Sequence, residues 1–186
     1  MTREDILEAA AQVFRQKGYH GASMEDIARA VNLQKPSLYH HVSSKQEILL
    51  ALLNRALELL LERISAISNQ DIPADQKLQE MVRAYLEILS ENTDLSAVLL
   101  FEHRSLERKQ HARHVPHRDK FEALWRSVVE EGVASGLFVC DDPALATRAI
   151  LGILNWTITW YHPDGALEID EIADRYSTLL LKGLCR

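Results

Sequence analysis

Helix-start signals recur through the first quarter of the chain, and they leave room for little but short helices packed on one another. Thr2 precedes Asp5, Ser23 precedes Asp26 and Ser44 precedes Glu47, each a capping hydroxyl with an acid three positions on. In such a pair the hydroxyl accepts from the third helical N–H, while the acid reaches back to the N–H of the cap. Apolar residues then follow at helical spacing: Ile6, Leu7, Ala10, Val13 and Phe14 behind the first cap, and Ile27, Ala28 and Val31 behind the second. Gly18 is expected to stop the first helix and Asn32 the second, since both residue types tolerate left-handed backbone. Pro36 suits the first turn of a third helix, over by about His41 or Val42.

The helix begun at Ser44 carries Ile48, Leu49, Leu52, Ala56, Leu60 and Ile64 along one face until a break at Asn69 to Pro73. Further amphipathic segments fall at about 74–91, 94–103 and 118–134, with Pro116 expected to interrupt any helix before the last of these. Asp142 caps a very apolar helix reaching about Tyr161, and a final helix runs from about Glu168 to Leu184. No stretch alternates with the strand period. The expected fold is all-α with about nine helices: an N-terminal three-helix helix-turn-helix domain over residues 1–45, and a C-terminal helical domain over 46–186.

The formal net charge of −6 argues against indiscriminate binding of polyanions, yet the charge is unevenly placed. Residues 1–45 hold six Lys or Arg against five acids, while the remainder holds fifteen against twenty-two. That asymmetry fits a nucleic-acid-facing end on an acidic body. Two cysteines, Cys140 and Cys185, are too few for a disulfide framework, which points to a reducing compartment. The first residues are charged, unlike a secretory signal, and the longest charge-free run, Ala149 to Tyr161, falls short of the roughly 20 residues a membrane helix needs. A cytoplasmic protein with no membrane partner is expected.

The segment from Lys35 to Lys45 has the chemistry to lie in a DNA groove. In a helix-turn-helix unit the last helix enters the major groove and its neighbours touch the backbone. Lys35 can reach a phosphate or a guanine edge, Ser37 either one, and Tyr39, His40 and His41 offer polar tips to phosphate oxygens. Leu38 reads as a core residue, and Tyr39 is compatible with either role. Adjacent helical residues point about 100° apart, so His40 and His41 do not converge on a metal, and no nucleophile accompanies them. Lys45 stands at a helix N-terminus, which favours anions.

"ILEAAAQVFRQKGYHGASMEDIARAVNLQKPSLYHHVSSKQEIL" resembles the DNA-binding domain of TetR-family transcriptional regulators. The carrying pieces are Phe-x-x-x-Gly-Tyr, Ser-Met-x-x-Ile-Ala and Ser-Leu-Tyr-x-His-Val-x-x-Lys, in order and at the right spacing. The resemblance implies a homodimer binding double-stranded operator DNA through Ser23, Lys35, Pro36, Ser37, Tyr39, His40, His41 and Lys45. Asn32 stands where glycine is usual, and His40 leaves the base preference open. An enzyme is not expected, and neither is a cofactor.

Two copies must pair if each short helix is to read a half-site about 34–36 Å from the next. The last two helices are the expected seam, through Ile150, Ile153, Leu154, Thr157 and Tyr161 on one and Ile172, Tyr176 and Leu180 on the other. A helix apolar all round needs cover all round. "GILNWTITWYHPDGALEIDEIADRY" carries a narrower similarity, to regulators of fatty-acid and steroid degradation that respond to acyl-CoA thioesters. The similarity implies a small hydrophobic effector, with Leu89, Leu100, Phe101, Arg104, Trp125, Val129, Asn155 and Trp156 as candidate contacts. Arg108, Lys109, Arg113 and Arg118 are further cations for its phosphates. A drug-responsive repressor, or a helical binding protein without an operator, are the alternatives. His103, His111, His114 and His117 form a histidine-rich run for which no metal site is expected, since no acid or cysteine completes it at tight spacing.

Overall fold

The computed structural model describes residues 2–185. Among them lie nine α-helices: α1 (Arg3–Gly21), α2 (Met24–Ala30), α3 (Lys35–Leu38), α4 (Lys45–Ser68), α5 (Ala74–Glu91), α6 (Thr93–Glu102), α7 (Arg108–Ala134), α8 (Pro143–Trp156) and α9 (Ile169–Leu184). Two short 3₁₀ turns, η1 (His103–Ser105) and η2 (Thr157–Thr159), follow α6 and α8. One isolated antiparallel bridge joins Phe138 to Cys185. No described helix is long and apolar enough to cross a membrane.

The capping chemistry operates as the sequence implies. Thr2 and Ser23 each form a full capping box with the acid three residues later. At Ser44 half of the box forms: the hydroxyl accepts from the Glu47 N–H at 3.2 Å, while the Glu47 carboxylate instead accepts from Arg113 at 2.9 Å. Asn32 takes φ 53° at the turn after α2, and the Leu33 N–H then bonds the Ala28 carbonyl. Gly18, with φ 69°, breaks the regular helix of α1, but one further helical turn continues to Gly21.

Pro116 does not end its helix, contrary to expectation; α7 runs through it from Arg108. A proline removes one backbone bond and crowds the preceding turn. Here the turns around it are tied to α4, by Arg113 to Glu47 and by His114 to Asn54.

The chain divides into two compact units that do not follow a cut at residue 45. The first contains residues 2–58 together with Asn92–His117; the second contains Leu59–Glu91 and Arg118–Cys185. In unit 1, α2 packs on α1, α3 on α2 and α6 on α1. Its core includes Ile6, Phe14, Ile27, Leu38, Ile48 and Leu52. In unit 2, α9 and α8 pack on α5, and the core includes Ile64, Leu78, Met81, Trp125, Val129 and Leu154. Buried Phe138 shapes this unit's edge. Its ring fills the space a Gly132 side chain would need, and its N–H bonds the Gly132 carbonyl at 2.9 Å.

Candidate nucleic-acid interface and effector site

Leu38 is fully buried and pins α3 from beneath. Around it Lys35, Pro36, Tyr39, His40 and His41 are exposed and Ser37 is half-buried, with Tyr39 46 % exposed. The structure therefore gathers six of the expected DNA-contact residues on one short stub, five of them exposed to solvent.

Ser23 and Lys45 are otherwise engaged. The Ser23 hydroxyl caps α2, donating to Asp26 at 2.7 Å and accepting from its N–H. That bond, together with an ion pair to Lys17, holds the Asp26 carboxyl well below the usual carboxylate range, Lys17 contributing most. Lys45, expected at a phosphate, turns its ammonium toward its own chain in this structure. It donates to the Tyr19 and Ala22 carbonyls at 2.8 and 2.7 Å and stands 4.3 Å from the centre of the Tyr19 ring. Carbonyls at a helix end lack intrahelical partners, and a cation satisfies them well. Next to it, the Gln46 amide donates to the Tyr19 hydroxyl at 2.8 Å and the Ser105 carbonyl at 2.9 Å, and accepts from the Glu107 N–H at 3.0 Å. Burial raises the Tyr19 phenol. Spacing gave no hint of this junction, because its partners lie up to 61 residues apart.

The effector candidates fall into both units. Leu89, Trp125 and Val129 are buried in unit 2, and Asn155 is half-buried there. Asn155 accepts a 2.5 Å bond from the Tyr85 hydroxyl, whose ionisation burial pushes far up. Tyr85, Phe121 and Trp125 form a ring cluster with centroids 6.1–6.2 Å apart. The Trp125 indole N–H is buried with no hydrogen-bond partner among the described residues. Leu100, Phe101 and Arg104 belong to unit 1, where Leu100 is half-buried and the other two are exposed. Trp156 does not join the buried set. It is 67 % exposed on the outer face of α8.

The expected seam between copies needs a matching correction. Ile150, Leu154, Thr157, Ile172 and Leu180 are buried by their own chain, because α8 and α9 pack on α5; Ile153, Tyr161 and Tyr176 are half-buried. The outward face of α8 carries Leu145 (62 % exposed), Ala149, Gly152 and Trp156, and that of α9 carries Leu179 and Gly183. Side chains added at either glycine would meet nothing. Of the histidine run, His114 is buried with Nδ1 3.3 Å from Asn54 Oδ1, while His111 and His117 are exposed or nearly so. No group of three or more potential metal ligands occurs among the described residues.

Residues 6–52 match the tetR family of bacterial regulatory proteins, and residues 71–184, more than half of the chain, match the tetracyclin repressor-like C-terminal domain. The chain belongs to the TetR family. Over 184 residues it is 28 % identical to the HTH-type transcriptional repressor KstR2 of Rhodococcus jostii, covering 98 % of this chain and 90 % of that one. A TetR-family regulator from Thermus thermophilus, PfmR, superposes with a TM-score of 0.88 at 36 % identity, covering 97 % and 99 % of the two chains. The crystal structure of AibR with isovaleryl coenzyme A and operator DNA superposes with a TM-score of 0.90 at 27 % identity, covering 96 % and 97 %. This TetR-family chain is thus a DNA-binding transcriptional regulator.

Proposed function

We propose that this regulator is a cytoplasmic homodimeric repressor, released from its operator by an acyl-CoA thioester. Residues 1–45 read the DNA, with Lys35, Ser37, Tyr39, His40 and His41 as the contacting side chains and Pro36 shaping the turn that presents them. The observation that carries this reading is the exposed stub seated on buried Leu38. KstR2 is a transcriptional repressor, and AibR forms a complex with isovaleryl coenzyme A and operator DNA.

The effector's apolar part is assigned to the buried side of unit 2, near Leu89, Trp125 and Val129. An apolar pocket with a few polar groups is what orients a small ligand. The unpartnered Trp125 indole and Asn155 supply those groups for a thioester carbonyl. Two copies pair through the outward apolar faces of α8 and α9, where Trp156 and Leu179 would otherwise stay in water.

Binding to a duplex selected from a random library should weaken about a thousandfold or more between 50 and 200 mM salt, as several phosphate contacts require. Thermal-shift screening against acyl-CoA thioesters, free fatty acids and cationic drugs tests the effector; stabilisation by drugs alone would overturn the acyl-CoA assignment. Trp156→Glu should leave the fold intact and convert dimer to monomer in sedimentation. A monomeric wild type would sink the pairing.

A further inference from the structure

Gln46 sits where three segments of unit 1 meet, and every polar hydrogen-bonding group of its side chain is used. Its two amide hydrogens serve the Tyr19 hydroxyl at the end of α1 and the Ser105 carbonyl in η1, while its oxygen takes the Glu107 N–H just before α7. Ser105 and Glu107 flank Leu106, the buried joint at which α6 and η1 give way to α7. The other end of α6 is fastened to α1 by Arg15 and Asp94 at 2.6 Å, and His20 adds a 3.3 Å contact to the Ser105 hydroxyl.

Lys45 holds the same Tyr19 by its ring and its carbonyl. The head formed by α1, α2 and α3 therefore keeps its seat on α4 whether or not Gln46 is present. Beside the Arg15–Asp94 pair and the His20–Ser105 contact, Gln46 adds a link from Tyr19 and the first turn of α4 to the joint between η1 and α7.

We propose that Gln46 is a positioning residue for regulation: its carboxamide couples the DNA-reading head to the α6–η1–α7 elbow, so that movement of either is felt by the other. The proposal rests on the reading that the Lys35–His41 stub binds operator. Coupling between sites is reciprocal, so DNA bound at the head must alter the elbow as much as the elbow alters DNA binding. The clasp suits that task because its three bonds are directional. A small rotation of α4's first turn breaks or remakes them together, which gives two discrete arrangements instead of a gradual slide.

The test uses the full chain and hydrogen exchange with and without a library-selected duplex, in wild type and Gln46→Met, which keeps the length of the side chain and removes its polar atoms. In the wild type, DNA should slow exchange of the α6 and η1 amides by about fivefold or more, within the usual range of coupling. In Gln46→Met that response should fall below about twofold, with duplex affinity within about threefold of wild type. Gln46→Glu can still accept from the Glu107 N–H and the Tyr19 hydroxyl, and should recover part of the response.

Three outcomes would overturn the proposal: a Gln46→Met elbow that responds fully, a wild-type elbow that ignores DNA, or a variant that loses duplex affinity and melting temperature together, which would make Gln46 plain scaffold. A second arm adds isovaleryl coenzyme A. If it weakens wild-type DNA binding, Gln46→Met should shrink that weakening at least about fivefold. If it leaves the wild type unmoved, the effector assignment fails while the exchange measurement still decides on Gln46.

Discussion

Unit 1 draws together segments distant in sequence through directed polar bonds, whereas unit 2 closes mainly by burying aliphatic and aromatic surface. In unit 1, Lys45, Gln46, Arg15 and Arg113 each reach a partner more than twenty residues away. In unit 2 the Tyr85, Phe121 and Trp125 rings lie against one another beside buried Val128, Val129 and Leu154. Charged ties exist there too, Arg83 to Asp170 and Asp174, and Lys77 to Glu131, but they lie around the apolar centre. Dispersion and the hydrophobic effect are non-directional and tolerate a shifted neighbour. A hydrogen bond bent far from linear is lost. Unit 1 thus depends more on bond directions that a small shift would break, and unit 2 more on burial that a small shift leaves in place.

The largest effect should come from Trp125→Ala, which empties the centre of unit 2. It should cost about 3–5 kcal/mol in denaturant unfolding, whereas a loss below about 1 kcal/mol would mean the ring is not the keystone of that core. Next, Lys45→Met should destabilise by about 2 kcal/mol, the scale of hydrogen bonds from a charged donor, without lowering the salt dependence of DNA binding. A drop of about one in that slope would instead return Lys45 to the phosphate contacts. Arg15→Ala removes an ion pair between side chains that are substantially in water, so a change under about 1 kcal/mol is expected. The smallest effect concerns acid. The folded state depresses the Asp26 carboxyl, so its contribution is present above the unfolded value of 3.8 and is lost as pH falls through the lower folded value. Asp26→Asn should flatten the acid limb of the unfolding profile below about pH 4. An unchanged limb would show that Lys17 and Ser23 do not hold that carboxylate.

Local chemistry was legible in the sequence mainly where both partners lie within one turn of each other, though at Ser44 the distant Arg113 takes the Glu47 carboxylate. The caps at Thr2 and Ser23, the left-handed Asn32 and the buried Leu38 all follow from neighbours a few positions away. The six free side chains around α3 belong to the same class. Lys45 escaped because its partners are the carbonyls left bare where α1 ends, 23 and 26 residues upstream, and no periodicity encodes that meeting. The exposed apolar face of α8 escaped for a different reason. A stripe apolar on every side announces that it needs cover, but not which side its own chain supplies. Packing on α5 takes Ile150, Leu154 and Thr157 and leaves Leu145 and Trp156 facing out. Pro116 shows the limit of a rule stated as an average, since a helix tied to its neighbour by Arg113 and His114 continues past a residue that ends most helices.

Gly18 gives α1 its bend at φ 69° and ψ 159°, a pairing that residues with a side chain adopt only under strain. The heading of Tyr19, and of everything fastened to it, is thus decided by an atom that is missing. A mutational search for variants with altered DNA binding would do well to begin there, since one added methyl strains that bend and leaves every side chain of the Lys35–His41 stub as it is.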